Sequence, residues 1–312
     1  MSLEVIYVVR HGFRTSWTVD PMTGKYSLGI RSPTGISNDP PLTSHGIDQS
    51  RELAAHLMKI EPAVDQVYSS PYYRCMQTIQ PFVDLRNSSP ETATSQPIQA
   101  EGVNPAFTIR AEGGISEWFG AAHFEHPMYA PMEVLEQYFP AVDETYTSAV
   151  TRPPNGESAT ALHLRVARAM QALIERSDRE GKKAILLCSH AATVIALGRV
   201  LTGQVPNDLE EDDFQAFTCG LSVYRRNRQG KGQGTGAEVA NESRPDHGWT
   251  SSLAVSGGWD CEANSDCSFL RNGPERGWRF SVDESFVDFG SSELPGSTVG
   301  TLDGPGLDSS KL

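Results

Sequence analysis

Two runs of apolar, β-branched residues in this chain each stop at a histidine. LEVIYVV (3–9) runs into Arg10, His11 and Gly12, and KKAILLCSH (182–190) ends on His190 with AATVIALGRVL directly behind it. A continuous apolar run of this length reads as a strand buried on both faces, the situation of a parallel sheet covered by helices. Such strands leave their polar residues at the carboxyl edge, where open α/β sheets bind ligands. The remaining pattern agrees. A helix is predicted over 44–60, a strand over 64–70, a helix over 71–85 opening on Pro71, and a helix over 132–150 broken near Pro140. An amphipathic helix follows over 155–178, then a helix over 191–201 and a strand over 217–227. The order β-α-β-α and then α-β-α-β predicts a layered α/β/α fold around a mainly parallel central sheet.

Residues 18–41, rich in Pro, Gly, Ser and Asp, read as a long loop, 87–97 as a polar connector, and 98–129 as irregular with a strand-like IQAEGV. The chain is expected to divide into a main domain over 1–227, a flexible linker with a small β-rich appendage over 228–290, and a disordered tail over 291–312. Trp249, Trp259 and Trp278 would form the core of the appendage, or a protein-partner surface over 249–290 if exposed. A net charge of −13 argues against nucleic acid or an anionic membrane as a whole-surface partner. No apolar stretch approaches the roughly 20 residues of a bilayer span. The five cysteines, Cys75, Cys188, Cys219, Cys261 and Cys267, are odd in number and widely spread, and read as reduced thiols of an intracellular protein, cytoplasmic or nuclear.

Four short pieces carry the chemistry: RHGFR (10–14), SSPYYRCMQT (69–78), GGISEW (113–118) and CSHAA (188–192). Together they bring Arg10, Arg14, Arg74, His11, His190 and Glu117 toward one sheet edge. Guanidinium forks match phosphate oxygens in geometry and charge, so this set predicts a dianion pocket that needs no metal or other cofactor. A neutral imidazole at His11 can attack phosphorus if a backbone acceptor fixes its tautomer. Glu117 would protonate the leaving oxygen and then deprotonate water; Glu112 and Glu101 compete with it for that role. His45, His56 and His163 fall on predicted helices or caps and read as structural. His123 and His126 have a metal-pair spacing with no third ligand apparent and read as loop contacts, while EEDD (210–213) reads as a solvated acidic turn.

RHG after the first strand, DPPLTSHGIDQ (39–49), SSPYYRCMQT, GGISEW, NGES (155–158) and SHAA together resemble the histidine phosphatase superfamily in its phosphoglycerate-mutase-like branch. The ordered set spans roughly residues 3–226. RHGxR, SSPxxRCxQT and the EW pair are most similar to Sts/TULA-type phosphatases and to the phosphatase domain of fungal transcription factor IIIC subunits of the 55-kDa class. The resemblance implies a phosphoglycerate-mutase-like fold with His11 as the phosphorylated histidine. Arg10, Arg14, Arg74 and His190 would hold the phosphoryl group, and Glu117 would be the acid/base. It implies a metal-independent phosphomonoesterase acting on a phosphorylated substrate. A non-catalytic interaction subunit is the alternative, and a phosphoglycerate-type mutase the third reading. Two departures disfavour the mutase: Phe13 stands where many relatives carry Glu, and 18–41 does not look like a carboxylate-recognition loop. Phe13 and Trp118 are expected to line an apolar entrance suited to aryl or peptidyl phosphates.

Overall fold

The computed structural model describes residues 1–88, 107–227 and 257–281. Its strands are β1 (Val5–Arg10), β2 (Trp17–Val19), β3 (Tyr26–Leu28), β4 (Gln66–Ser69), β5 (Ile109–Ala111), β6 (Ala184–Ser189), β7 (Leu221–Arg226) and β8 (Trp259–Asp266). The helices are α1 (Ser44–Leu57), α2 (Tyr73–Ser88), α3 (Met132–Tyr138), α4 (Ala159–Arg179) and α5 (Ala191–Thr202). The main sheet has the order β5-β4-β6-β1-β7-β8. β5, β4, β6 and β1 run parallel; β7 pairs antiparallel with β1, and β8 antiparallel with β7.

All six residues of β1 are buried because both faces of the sheet are covered. Successive side chains of a strand point to opposite faces. Val5, Tyr7 and Val9 therefore pack with Leu53, Met76 and Phe82 from α1 and α2, whereas Ile6 and Val8 pack with Leu162, Val166 and Ile195 from α4 and α5. Each such aliphatic side chain removed from water contributes about 1.5–3 kcal/mol. This double coverage explains why β1 and β6 read as unbroken apolar runs.

Helix boundaries follow local chemistry. Thr43 caps α1 by accepting the Gly46 N–H, and Ser158 caps α4 by accepting the Ala161 N–H. The helix predicted over 132–150 stops at Tyr138, since Pro140 cannot continue it. The loop predicted over 18–41 contains the hairpin β2–β3, pairing Trp17 with Leu28 and Val19 with Tyr26.

Of the linker and small β-rich appendage expected over 228–290, the structure describes 257–281. β8 extends the main sheet, and Trp259 and Trp278 are buried in the α4–α5 core. EEDD is likewise not simply solvated: Asp213 receives the fully buried Arg199, and Asp212 pairs with Arg279. All five cysteines are free thiols, and only Cys261 is exposed. Among the described residues no helix is long and apolar enough to cross a membrane. Trp249, the strand-like IQAEGV, the linker at 228–238 and the tail at 291–312 lie outside the described residues.

Candidate active site

Register brings the site together. Arg10 lies opposite Ser189, and Ser69 opposite Cys188, so the residues that leave β1, β4 and β6 emerge side by side at one carboxyl edge. The His11 N–H donates to the Ser189 carbonyl at 2.9 Å, continuing the ladder one step past the strand. At Gly12 the chain presses on the start of α1. A Cβ there would come within 2.9 Å of the Gly46 carbonyl oxygen, which accounts for glycine at that position. The Gly12 N–H donates to Thr78 Oγ1, and the Phe13 N–H to Gln49 Oε1.

His11 is 1% exposed, and its Nδ1 lies 2.8 Å from the Gly12 carbonyl. A carbonyl only accepts, so Nδ1 carries the hydrogen and the Nε2 lone pair is free to attack. Burial holds the pKa of His11 well below the ordinary histidine value, helped by the charges of Arg74, Arg10, His190 and Arg14. The ring is thus neutral near pH 7, as a nucleophile requires.

Glu117, His190 and Arg74 form one buried cluster. Arg74 Nη2 donates to Glu117 Oε2 at 2.8 Å, and His190 Nδ1 lies 3.1 Å from the same oxygen. The other face of Arg74 is held by Asp39 at 3.0 Å and by the Asn38 carbonyl. Asp39 also accepts the Tyr73 N–H at 2.6 Å, capping α2 and fixing where Arg74 begins its turn. His190 Nε2 meets Ser70 Oγ at 2.7 Å and Cys75 Sγ at 3.4 Å. Burial would raise the pKa of Glu117, but His190 and Arg74 hold it well below the carboxylate range. Burial would lower that of His190, but Cys75 and Glu117 raise it. The Glu117 carboxylate therefore faces a His190 ring whose proton affinity is raised.

Glu112 is excluded from acid/base work by its saturation. Its carboxylate receives the Tyr146 and Ser148 hydroxyls and the N–H groups of Gly114 and Ala149. It folds the 113–118 turn instead. Arg165 finishes that turn by donating to the Gly114 and Ser116 carbonyls at 3.0 and 3.2 Å while pairing with Glu157 at 2.7 Å.

A model of the histidine phosphatase superfamily (branch 1) matches residues 6–96 and 124–233, more than half of the chain. The chain belongs to the histidine phosphatase superfamily. It is 27% identical over 288 residues to the transcription factor tau 55 kDa subunit of Saccharomyces cerevisiae, covering 90% of this chain and 59% of that protein. It is 26% identical over 249 residues to the ecdysteroid-phosphate phosphatase of Drosophila melanogaster, covering 71% of this chain and 30% of the relative. Across these two relatives the chain spans between about a third and about three fifths of the relative's length. A solved ecdysone phosphate phosphatase from Bombix mori in complex with tungstate is similar at 20% identity and a TM-score of 0.48, over 71% of this chain and 89% of that one.

In this member of the histidine phosphatase superfamily the six residues singled out by sequence all border one site, though not equivalently. Arg10, His11 and Arg14 line a pocket with Thr218, Arg276, Gly277 and Trp278. Arg74, Glu117 and His190 form the buried cluster beside it. His11, Glu117 and His190 also offer ligand atoms within 4.8 Å of one another, a spacing a cation could use. The nearby charges of Arg74, Arg10 and Arg14 make that point repulsive to cations and attractive to anions.

Phe13 and Trp118 do not form the expected entrance. Trp118 turns inward onto Trp278 and Phe280 and donates to the Glu157 carbonyl, while Phe13 lies under the Arg276 guanidinium at 3.9 Å. Behind the site lies a separate aromatic cluster: the Tyr72 ring stands against His190 at 5.3 Å, with Trp17, Tyr26 and Phe119 packed beyond it, and of these only Trp17 is not buried. His126 belongs to this cluster, bonded to the Tyr26 hydroxyl and the Gly120 carbonyl. Asp39, Ser70, Thr218 and Arg276 were missed in the sequence. Asp39 and Ser70 had a signal there, standing in the DPPLTSHG and SSPYYRCMQT motifs.

Proposed function

We propose that this protein is a metal-independent phosphomonoesterase that works through a phosphohistidine. The observation that carries the reading is the buried, tautomer-fixed His11 beside the Glu117–His190 pair. His11 Nε2 attacks phosphorus in line while Arg10, Arg14 and Arg74 stabilise the equatorial oxygens. At rest Glu117 is ionised. The incoming dianion adds negative charge beside it, competes for Arg74 and raises its proton affinity, so the shared proton moves from His190 Nδ1 to Glu117 Oε2. The phosphorus–oxygen ester bond breaks as Glu117 gives that proton to the leaving oxygen. Glu117 then takes a proton from water, whose oxygen attacks the phosphohistidine and releases phosphate, with His11 restored.

Among its substrates the reading favours aryl phosphates, including those on proteins, and what supports this is the partly buried Trp17 ring beside Arg14. The test is p-nitrophenyl phosphate hydrolysis with EDTA present. Activity should survive EDTA and fall by about a thousandfold or more in His11→Ala. Near-normal turnover in the variant, or loss in EDTA restored by a divalent metal, would overturn the mechanism.

A second reading has one observation in its favour: the similarity to the tau 55 kDa subunit covers 90% of this chain. On that reading the chain is an interaction subunit on the same fold. Stable incorporation into a larger complex, with no hydrolysis by the isolated wild type at any pH, would place it first.

A further inference from the structure

The segment 267–281 delivers a residue to the pocket that the reaction above does not use. Arg276 lines the same cavity as Arg10, His11 and Arg14. It is a non-glycine residue held at φ 49°, in the left-handed region that side chains seldom occupy. The neighbouring contacts enforce that turn. Glu275 is bonded to His45 at 2.5 Å and to Gln49 at 2.6 Å, and its carbonyl accepts the Thr218 N–H. Gly277 is pressed on Phe217, where a Cβ would meet the ring at 2.8 Å, and Trp278 is sunk in the core.

The Arg276 carbonyl receives the Arg10 guanidinium, and the Arg276 guanidinium stacks on Phe13 with Nη1 3.5 Å from the Arg14 carbonyl. Phe13 thus has a use that its departure from the family pattern left open: it is the platform that fixes the plane of this guanidinium. The charges that act most on His11 are those of Arg74, Arg10, His190 and Arg14. Arg276 is not among them, although it lines the same pocket.

We propose that Arg276 is a specificity-determining residue, whose guanidinium reads a second anionic group close to the phosphoryl group of the substrate. The inference rests on the phosphomonoesterase reading for its substrate, and names the class: monoesters carrying a carboxylate or a further phosphate near the ester, as an acidic sequence around a phosphorylated side chain would provide. A preorganised guanidinium loses little freedom on binding such a group, and a fork-to-carboxylate contact is directional.

The test uses two non-hydrolysable probes, phenylphosphonate and 3-carboxyphenylphosphonate, with binding measured by calorimetry at fixed pH and ionic strength. The wild type should bind the carboxylated probe about tenfold more tightly, the scale of one charge-assisted contact. Arg276→Gln should reduce that ratio to near one, and Arg276→Lys should keep part of it. A wild type without preference, equal weakening of both probes in Arg276→Gln, or failure of both probes to bind would overturn the proposal. If Arg276→Gln does not fold, the wild-type ratio and the Lys variant decide. A preserved preference with no p-nitrophenyl phosphate turnover would sink the phosphohistidine reading and leave the role of Arg276 standing; the converse would do the opposite.

Discussion

His11, Glu117 and His190 are governed by opposite pulls of burial and charge, and the balance sets their protonation. For His11 burial and the arginines act together and lower the pKa. For Glu117 and His190 their neighbours overcome burial, lowering the pKa of the first and raising that of the second. The signs yield a pH profile. Free-enzyme kcat/KM needs His11 neutral, so its acid limb should lie well below 6.5, and it needs the His190 proton, so its alkaline limb should lie above 6.5. Rates on p-nitrophenyl phosphate between about pH 4 and 9, with the substrate's own ionisation divided out, give both limbs. An acid limb at the ordinary histidine value would contradict the buried, arginine-flanked ring. At this scale the sequence was informative where strand ends announced themselves, as at His11 and His190. It left Glu117 and Glu112 as competitors because both stand in one irregular stretch. Only the hydrogen bonds from Tyr146, Ser148 and Ala149, distant in sequence, show that Glu112 is already spent.

The turn at 113–118 shows how an element without regular repeats is held. Arg165, on α4, reaches the Gly114 and Ser116 carbonyls and is itself held by Glu157, both side chains being almost fully buried. Arg165→Met would leave Glu157 charged and unpartnered by a guanidinium, which should cost about 3–5 kcal/mol of stability. It would also release the turn that aims Glu117, and a shift of about 1 Å can lower kcat/KM by about a hundredfold. The two effects separate in the double variant Arg165→Met/Glu157→Gln: a urea melt should recover much of the stability while kcat/KM stays low. Recovery of both would mean that the pair acts through folding alone. Periodicity revealed α4, because apolar spacing is a local signal, although its start was read at 155 rather than just after the Ser158 cap. It could not place the turn, whose anchor lies about fifty residues away, nor the hairpin β2–β3, whose three-residue strands are too short to show alternation.

Across the whole molecule, the alternation of strands and helices was enough to predict a layered sheet, since parallel strands need crossovers and each crossover left its own pattern. What it could not predict was the end of the sheet. β8 pairs with β7 across a register shift and is polar on its outer positions, so nothing in its composition distinguishes an edge strand of this sheet from a strand of a separate unit. The burial of Trp259 and Trp278 against α4 and α5 decides the matter. The segment 257–281 therefore has two duties, closing the core and carrying Arg276 to the pocket. Trp259→Ala separates them. Removing a buried indole should lower stability by about 3–5 kcal/mol, seen as a lower urea Cm with m unchanged. Arg276 is held by Phe13, Glu275 and Trp278 rather than by Trp259, so folded Trp259→Ala should keep the probe preference of the wild type. If instead Cm barely moves, β8 is an ornament on a core that is complete without it. If the preference disappears while the fold survives, the pocket depends on the sheet edge more directly than its contacts imply.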